Sequence, residues 1–209
     1  MYKPIEYGYI GVTVDMEKDF CTPAGSLYVN DSETLIEPIN RLNAIIRSLG
    51  GQVFLTRDWH PEETSHFDKF PVHCVANTTG AEFHDDLVVL EEDIIISKGT
   101  EKDTDGFSAI DCKAEKNGKT LREIIIEQLG KCATVVVIVY GVATEFCDHA
   151  NVLDIANEFA QEIADGRLVL VALAKYMKPV NEEDGIRAIA EMEDAGALLE
   201  IPDRFGVKL

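Results

Sequence analysis

The sequence predicts an α/β protein, a three-layer α/β/α sandwich around a mostly parallel sheet. Three observations carry that reading. Apolar runs of strand length alternate with segments of helical period. The strand-like runs are continuously apolar, as expected of a sheet covered on both faces. No internal repeat, low-complexity tract or linker interrupts the alternation.

In chain order, YGYIGVTVD (7–15) reads as the first strand. SETLIEPINRLNAIIRSLGG (32–51) is a helix, with Leu35, Ile39, Leu42, Ile46 and Leu49 at helical spacing and glycines to stop it. QVFLTRD (52–58) and EDIIISK (92–98) are the second and third strands. KTLREIIIEQLGK (119–131) is a helix and TVVVIVYG (134–141) the fourth strand. EFCDHANVLDIANEFAQEIADG (145–166) reads as one long helix, RLVLVALA (167–174) as the fifth strand and EEDGIRAIAEMEDAGA (182–197) as a helix. LLEIP (198–202) reads as a short last strand. The segment 59–90, rich in His, Pro, Thr and acidic residues, fits the alternation poorly; a loop of that length is usually functional or disordered.

The 209 residues are enough to bury ~70% of the unfolded surface. A formal net charge of -19 repels phosphate backbones, which argues against nucleic acid and anionic membranes as partners. No apolar run approaches the ~20 residues of a membrane span. The first residues carry no leader pattern. Five cysteines, an odd count without paired-ligand spacing, point to free thiols and a reducing, cytoplasmic location.

Ligands of open α/β sheets bind beyond the carboxyl ends of the strands. Strand one ends on Asp15, strand two on Asp58 followed by Trp59 and His60, and strand three on Lys98. Strand four leads through Gly141 to Cys147 at the start of a helix. An acid, an acid with a histidine, a lysine and a thiol thus reach one edge. A thiol in a first helical turn feels the positive end of the helix dipole, which lowers its pKa, and the free N–H groups there can hold an oxyanion. The competing reading is a small buried hydrophobe. Asp15 is the candidate base, because strand one should lie beside strand four; its plainer reading is a turn cap. Lys98 would orient that carboxylate, or else be a snorkelling surface lysine. His149 faces away from Cys147 on a helix, so these two form no dyad. Asp58 and His60 point to the same side of an extended segment, and His66 and His73 follow in the loop. One carboxylate with two or three imidazoles suits Zn, Mn or Fe; the alternative is an ordinary polar loop.

These segments resemble the nicotinamidase branch of the isochorismatase-like cysteine hydrolases. VTVDMEKDFCTPAGSLYV, TRDWHP, FPVHCVANTTGAEF, ISKGTEKDTDGFSAI and VYGVATEFCDHANVLDIA are similar to five family motifs in the family's order. The resemblance implies a single hydrolase domain over 1–209, with a metal-binding loop insertion at about 59–90. It implies Asp15, Lys98 and Cys147 as the catalytic triad, and Asp58, His60 and His73 as ligands of one divalent metal ion, with Zn ahead of Mn or Fe. His66 stands where a minority of relatives place an extra ligand, and its loss is expected to cost less than that of His60 or His73. A cis peptide is implied at Val142-Ala143, an oxyanion hole at the N–H groups of Ala143 and Cys147, and aromatic walls at Phe20, Trp59 and Phe107. Glu17 departs from the usual Gln, Phe107 from the common Tyr, and Leu173 from a frequent Asp. The implied reaction is hydrolysis of nicotinamide to nicotinate and ammonia through a Cys thioester, in pyridine nucleotide salvage. Alternatives are another amidase of this fold, for carbamoyl, ureido or pyrazinamide-type substrates, and a non-catalytic binding module. Whether the chain forms a homo-oligomer is left open.

Overall fold

Five parallel strands form one sheet in the order β3-β2-β1-β4-β5. They are β1 (Ile5–Val14), β2 (Gln52–Asp58), β3 (Ile94–Lys98), β4 (Cys132–Val142) and β5 (Leu168–Lys178). The computed structural model describes residues 5–208; residues 1–4, the start of the segment read above for a leader, and residue 209 lie outside the described residues. The helices are α1 (Lys18–Cys21), α2 (Ile36–Ser48), α3 (Leu121–Leu129), α4 (His149–Glu158), α5 (Ala160–Ala164) and α6 (Glu182–Asp194).

Strand alternation sorts the core into two layers. In β4, Val135, Val137 and Val139 face one layer with Ile124, Ile125, Val152, Ile155 and Met192 of α3, α4 and α6. Val136, Ile138 and Tyr140 face the other, with Ile39, Leu42 and Ile46 of α2. The three-layer sandwich expected from the sequence is the observed one.

Two expectations need correction. The helix read over 145–166 is three pieces. A π turn, Thr144–Asp148, precedes α4, and the chain kinks at buried Phe159 before α5. The strand read over 198–202 is a single bridge between Leu198 and Val171. Leu198 exchanges two hydrogen bonds with β5, and the segment then leaves the edge. Leu199 packs on one layer and Ile201 on the other, so the segment wraps around the sheet edge instead of extending it.

The connection from β1 leads through α2 to β2 on one side, and later strands fill the other side, which puts the switch in sheet order between β1 and β4. That is where a crevice opens above the strand ends. There Val14 pairs with Gly141, and Asp58 with Lys98. Gly141 has φ 143°, and a Cβ on it would lie 2.1 Å from the Val14 carbonyl oxygen, so only glycine lets β1 and β4 close up at this point.

Candidate active site

Lys98 is the centre of the strand-end constellation. Its Nζ lies 2.7 Å from Asp15 Oδ2, 2.5 Å from Asp58 Oδ1 and 3.2 Å from Cys147 Sγ. All four side chains are buried. Burial disfavours the ammonium, but the two carboxylates and the thiol outweigh it and hold the Lys98 pKa well above the usual lysine range. One oxygen of Asp15 accepts a hydrogen bond from the Thr56 hydroxyl at 2.7 Å, leaving the other for Lys98. Burial raises the Asp15 pKa, and Asp58 adds to this against the pull of Lys98. A base in a water-poor site is strengthened in this way.

The nucleophile differs from the expectation. The Cys147 thiol is not made acidic by a helix start. Burial pushes its pKa well above the ordinary thiol range, with Asp15 and Asp58 adding to the effect against Lys98. Enclosure and the two carboxylates thus oppose the acidifying effect expected of a helix start. Ligand atoms of Asp15, Asp58 and Cys147 lie within 4.8 Å of one another, which puts the base beside its proton. The Lys98 ammonium fills the centre of this trio and bars a metal from it.

The peptide Val142-Ala143 is cis. In the π turn that follows, Phe146 and Asp148 N–H groups donate to the Ala143 carbonyl, and His149 N–H donates to Thr144. π turns often mark functional sites. Beneath the turn, Asp148 is fully buried, and neither of its oxygens has a partner among the described residues.

Asp58 links this trio to the histidines. Its Oδ2 lies 3.6 Å from His60 Nε2 and 3.8 Å from His73 Nε2. Burial raises the Asp58 pKa, but Lys98 and the two imidazoles overcome this and hold it well below the usual carboxylate range. Glu17 Oε1 accepts the Asp58 backbone N–H at 2.5 Å, a contact the sequence reading did not foresee. A parallel bridge between His60 and Val75 brings His73 to His60, and a bond from Ser65 N–H to the Lys102 carbonyl brings in His66. The His60 ring has room because Gly99 lacks a Cβ, which would fall 2.5 Å from His60 Cε1.

The outer nitrogens fix the tautomers. His60 Nδ1 donates to the Gly99 carbonyl at 3.1 Å, His73 Nδ1 to the Pro71 carbonyl at 2.7 Å and His66 Nδ1 to Asp105 Oδ1 at 3.0 Å. These oxygens are acceptors, so each Nδ1 carries a proton, and in the neutral imidazole Nε2 is the nitrogen with the lone pair. Nitrogen atoms of the three rings lie within 4.8 Å of one another, and His60 Nε2 is buried without a protein partner. Three imidazole nitrogens this close together beside a carboxylate offer the donor types of a divalent transition metal, so the residues present fit such an ion, with the His60 and His66 rings stacked at 4.4 Å.

A cavity of about 90 Å³ opens over Cys147, Asp58, His66 and His73. Its walls include Phe20, Phe70, Phe107 and Phe146. Phe70 meets Phe107 and Phe146 edge to face at 6.1 and 5.5 Å. Of the three aromatic residues expected in the wall, Phe20 and Phe107 line the cavity. Trp59 does not; its ring lies against the Arg57 guanidinium at 3.7 Å. Trp59 sits between Asp58 and His60, and neighbours in an extended segment point opposite ways, so that signal was in the sequence. Phe70 and Phe146 were missed.

The isochorismatase domain profile matches residues 10–158. A pyrazinamidase of Pyrococcus horikoshii, solved in complex with zinc, is 32% identical, with 91% of this chain and 97% of that chain covered at a TM-score of 0.73. PnC1 from L. infantum, solved in complex with nicotinate, is 26% identical, with 95% of each chain covered at a TM-score of 0.73. The nicotinamidase of Saccharomyces cerevisiae is 29% identical, with 82% of this chain and 88% of that protein covered.

Proposed function

This chain belongs to the isochorismatase family and is an amidohydrolase acting on a carboxamide; on that premise we propose that it hydrolyses nicotinamide to nicotinate and ammonia through a thioester on Cys147. The observation that carries the reading is Lys98 Nζ in contact with Asp15, Asp58 and Cys147 at the foot of an aromatic cavity. A scaffold gains nothing from burying these four groups together, since desolvating the charges costs several kcal/mol each.

A flat ring lies between the phenylalanine walls, with its carboxamide toward Cys147. Asp15 takes the thiol proton as the sulfur attacks the carboxamide carbon. The oxyanion is received by the Cys147 and Ala143 N–H groups, worth about 3 kcal/mol per donor in other acyl-transfer sites. Asp15 returns the proton to the nitrogen, the C–N bond breaks and ammonia leaves. Asp15 then deprotonates the water that cleaves the thioester, and the thiol is restored. Lys98 stays charged throughout and holds Asp15 in line. Asp58, His60 and His73, with His66 as a fourth donor, would hold one divalent cation, Zn ahead of Mn or Fe. Bound there, it supplies a Lewis acid for the pyridine nitrogen and so orients the small substrate.

Among the described residues, no helix is long and apolar enough to cross a membrane. All five cysteines are free, in keeping with a reducing, cytoplasmic setting as part of this proposal.

The test is ammonia release from a panel of nicotinamide, pyrazinamide, benzamide and ureido compounds, with and without chelator. Nicotinamide is expected to be turned over fastest, and chelator to suppress it. Preference for a ureido compound, or full activity after metal removal, sinks the substrate assignment.

A further inference from the structure

The three imidazoles are not held alike. Gly99 and Pro71 offer His60 and His73 a neutral carbonyl, whereas His66 donates to a carboxylate, Asp105 Oδ1. Asp105 is fixed in turn, because its Oδ2 takes Lys69 Nζ at 2.7 Å. The contact joins two loops, one after β2 and one after β3, which are also tied where the Thr64 hydroxyl and the Ser65 N–H donate to the Lys102 carbonyl. The His66 ring is 3% exposed and stacks on Phe70 at 4.6 Å, so it is held on one face by the cavity wall and at one edge by Asp105. A carboxylate behind an imidazole fixes the ring's orientation and makes the far nitrogen a stronger donor than a carbonyl does.

We infer that Asp105 is a positioning residue of the metal site: acting through His66, it fixes the orientation of that ring and strengthens its far nitrogen as a donor to the cation. This rests on the metal reading of the proposed function. Asp105 touches neither substrate nor reacting atoms. Its effect is confined to how tightly, and with what ligand field, the cation is held.

The experiment uses the full chain, stripped of metal and reloaded. Zn²⁺ affinity is measured by competition with a chromophoric chelator in the parent protein and in Asp105→Asn, His66→Ala and the double variant. Visible spectra are recorded for the Co²⁺-loaded forms. Asn keeps the shape and an acceptor oxygen but not the charge, and Asp105 lies on a loop, so the fold is expected to survive; an unchanged apo-protein melting curve checks this. Asp105→Asn should weaken Zn²⁺ roughly 10–100-fold. His66→Ala should weaken it at least as much, and adding Asp105→Asn to His66→Ala should cost no more than about twofold further. The Co²⁺ bands should shift in Asp105→Asn, which a merely structural role would not produce, and Asp105→Glu should restore part of the affinity. Affinity within twofold of the parent in Asp105→Asn overturns the inference. So does an equal loss in the His66→Ala background, since Asp105 would then act by charge alone. A parent protein that binds no Zn²⁺ or Co²⁺ removes the metal reading itself, and the inference with it.

Discussion

At the scale of single residues, the site depends on how one buried ammonium is shared. Lys98 balances Asp15 and Asp58 at once, so Asp58 serves both the catalytic trio and the histidine cluster. Asp15 is expected to be the only base. Asp15→Asn keeps the shape but cannot take a proton, and single-turnover thioester formation should fall by about 10²–10⁴-fold. A near-normal acylation rate in that variant would place the base elsewhere. Strand-end logic brought Asp15, Asp58, Lys98 and Cys147 to one edge from the sequence, because a parallel sheet delivers the residues that follow each strand to the same side. The second reach of Lys98, to Asp58, and the Asp105–His66 contact were not legible. They join groups 40 and 39 residues apart, in partners that no periodic pattern links. The enclosure and the carboxylates around the thiol were not legible either, since a helix start says nothing of them.

At the scale of elements, the close approach of β1 and β4 sets the height of the nucleophile turn over Asp15. Gly141→Ala should cost about 1–3 kcal/mol in backbone strain alone, and more in activity than in stability, because the Ala143–Cys147 turn is displaced with it. Chemical denaturation and kcat measured on one preparation check this; a variant with parental stability and kcat would show that the close contact has no role. The strands and the α2, α3 and α6 helices were legible from their apolar periods. The π turn and the kink at Phe159 were not, since 145–166 keeps helical composition throughout, and a change in hydrogen-bond register leaves no mark on composition. Pro202 and the switch of Leu199 and Ile201 between layers explain why the apolar run 198–202 does not pair as a strand.

At the scale of the whole molecule, the nucleophile turn carries a stability cost that depends on pH. Asp148 has its pKa pushed well above the carboxylate range by burial, with Asp15 and Glu145 adding to it. In the unfolded chain it ionises near ~3.9. Below that pH both states hold the proton and no penalty exists. As pH rises, the unfolded chain gives up the proton while the folded chain retains it, so stability is lost until pH passes the folded value. Asp148→Asn, which has no proton to lose, should therefore melt higher than the parent at pH 7–8, by a few degrees at ~2–4 °C per kcal/mol for this size. The gain should shrink to nothing near pH 4. No gain at pH 8 would mean that Asp148 is ionised and partnered in the folded protein, and a gain independent of pH would mean that its titration is not the source of the cost. The order of layers was legible from alternation, and so was the adjacency of β1 and β4. The full strand order was not, because it depends on which edge each crossover takes.

The most direct test of the central claim is the amidase activity of Cys147→Ala, measured as ammonia released from nicotinamide by protein whose melting curve and metal content match the parent. The nucleophile assignment predicts turnover at or below the limit of detection. More than a trace of turnover in that variant would contradict it, because the carboxamide carbon would then be attacked by something other than the thiol that Lys98 and Asp15 surround.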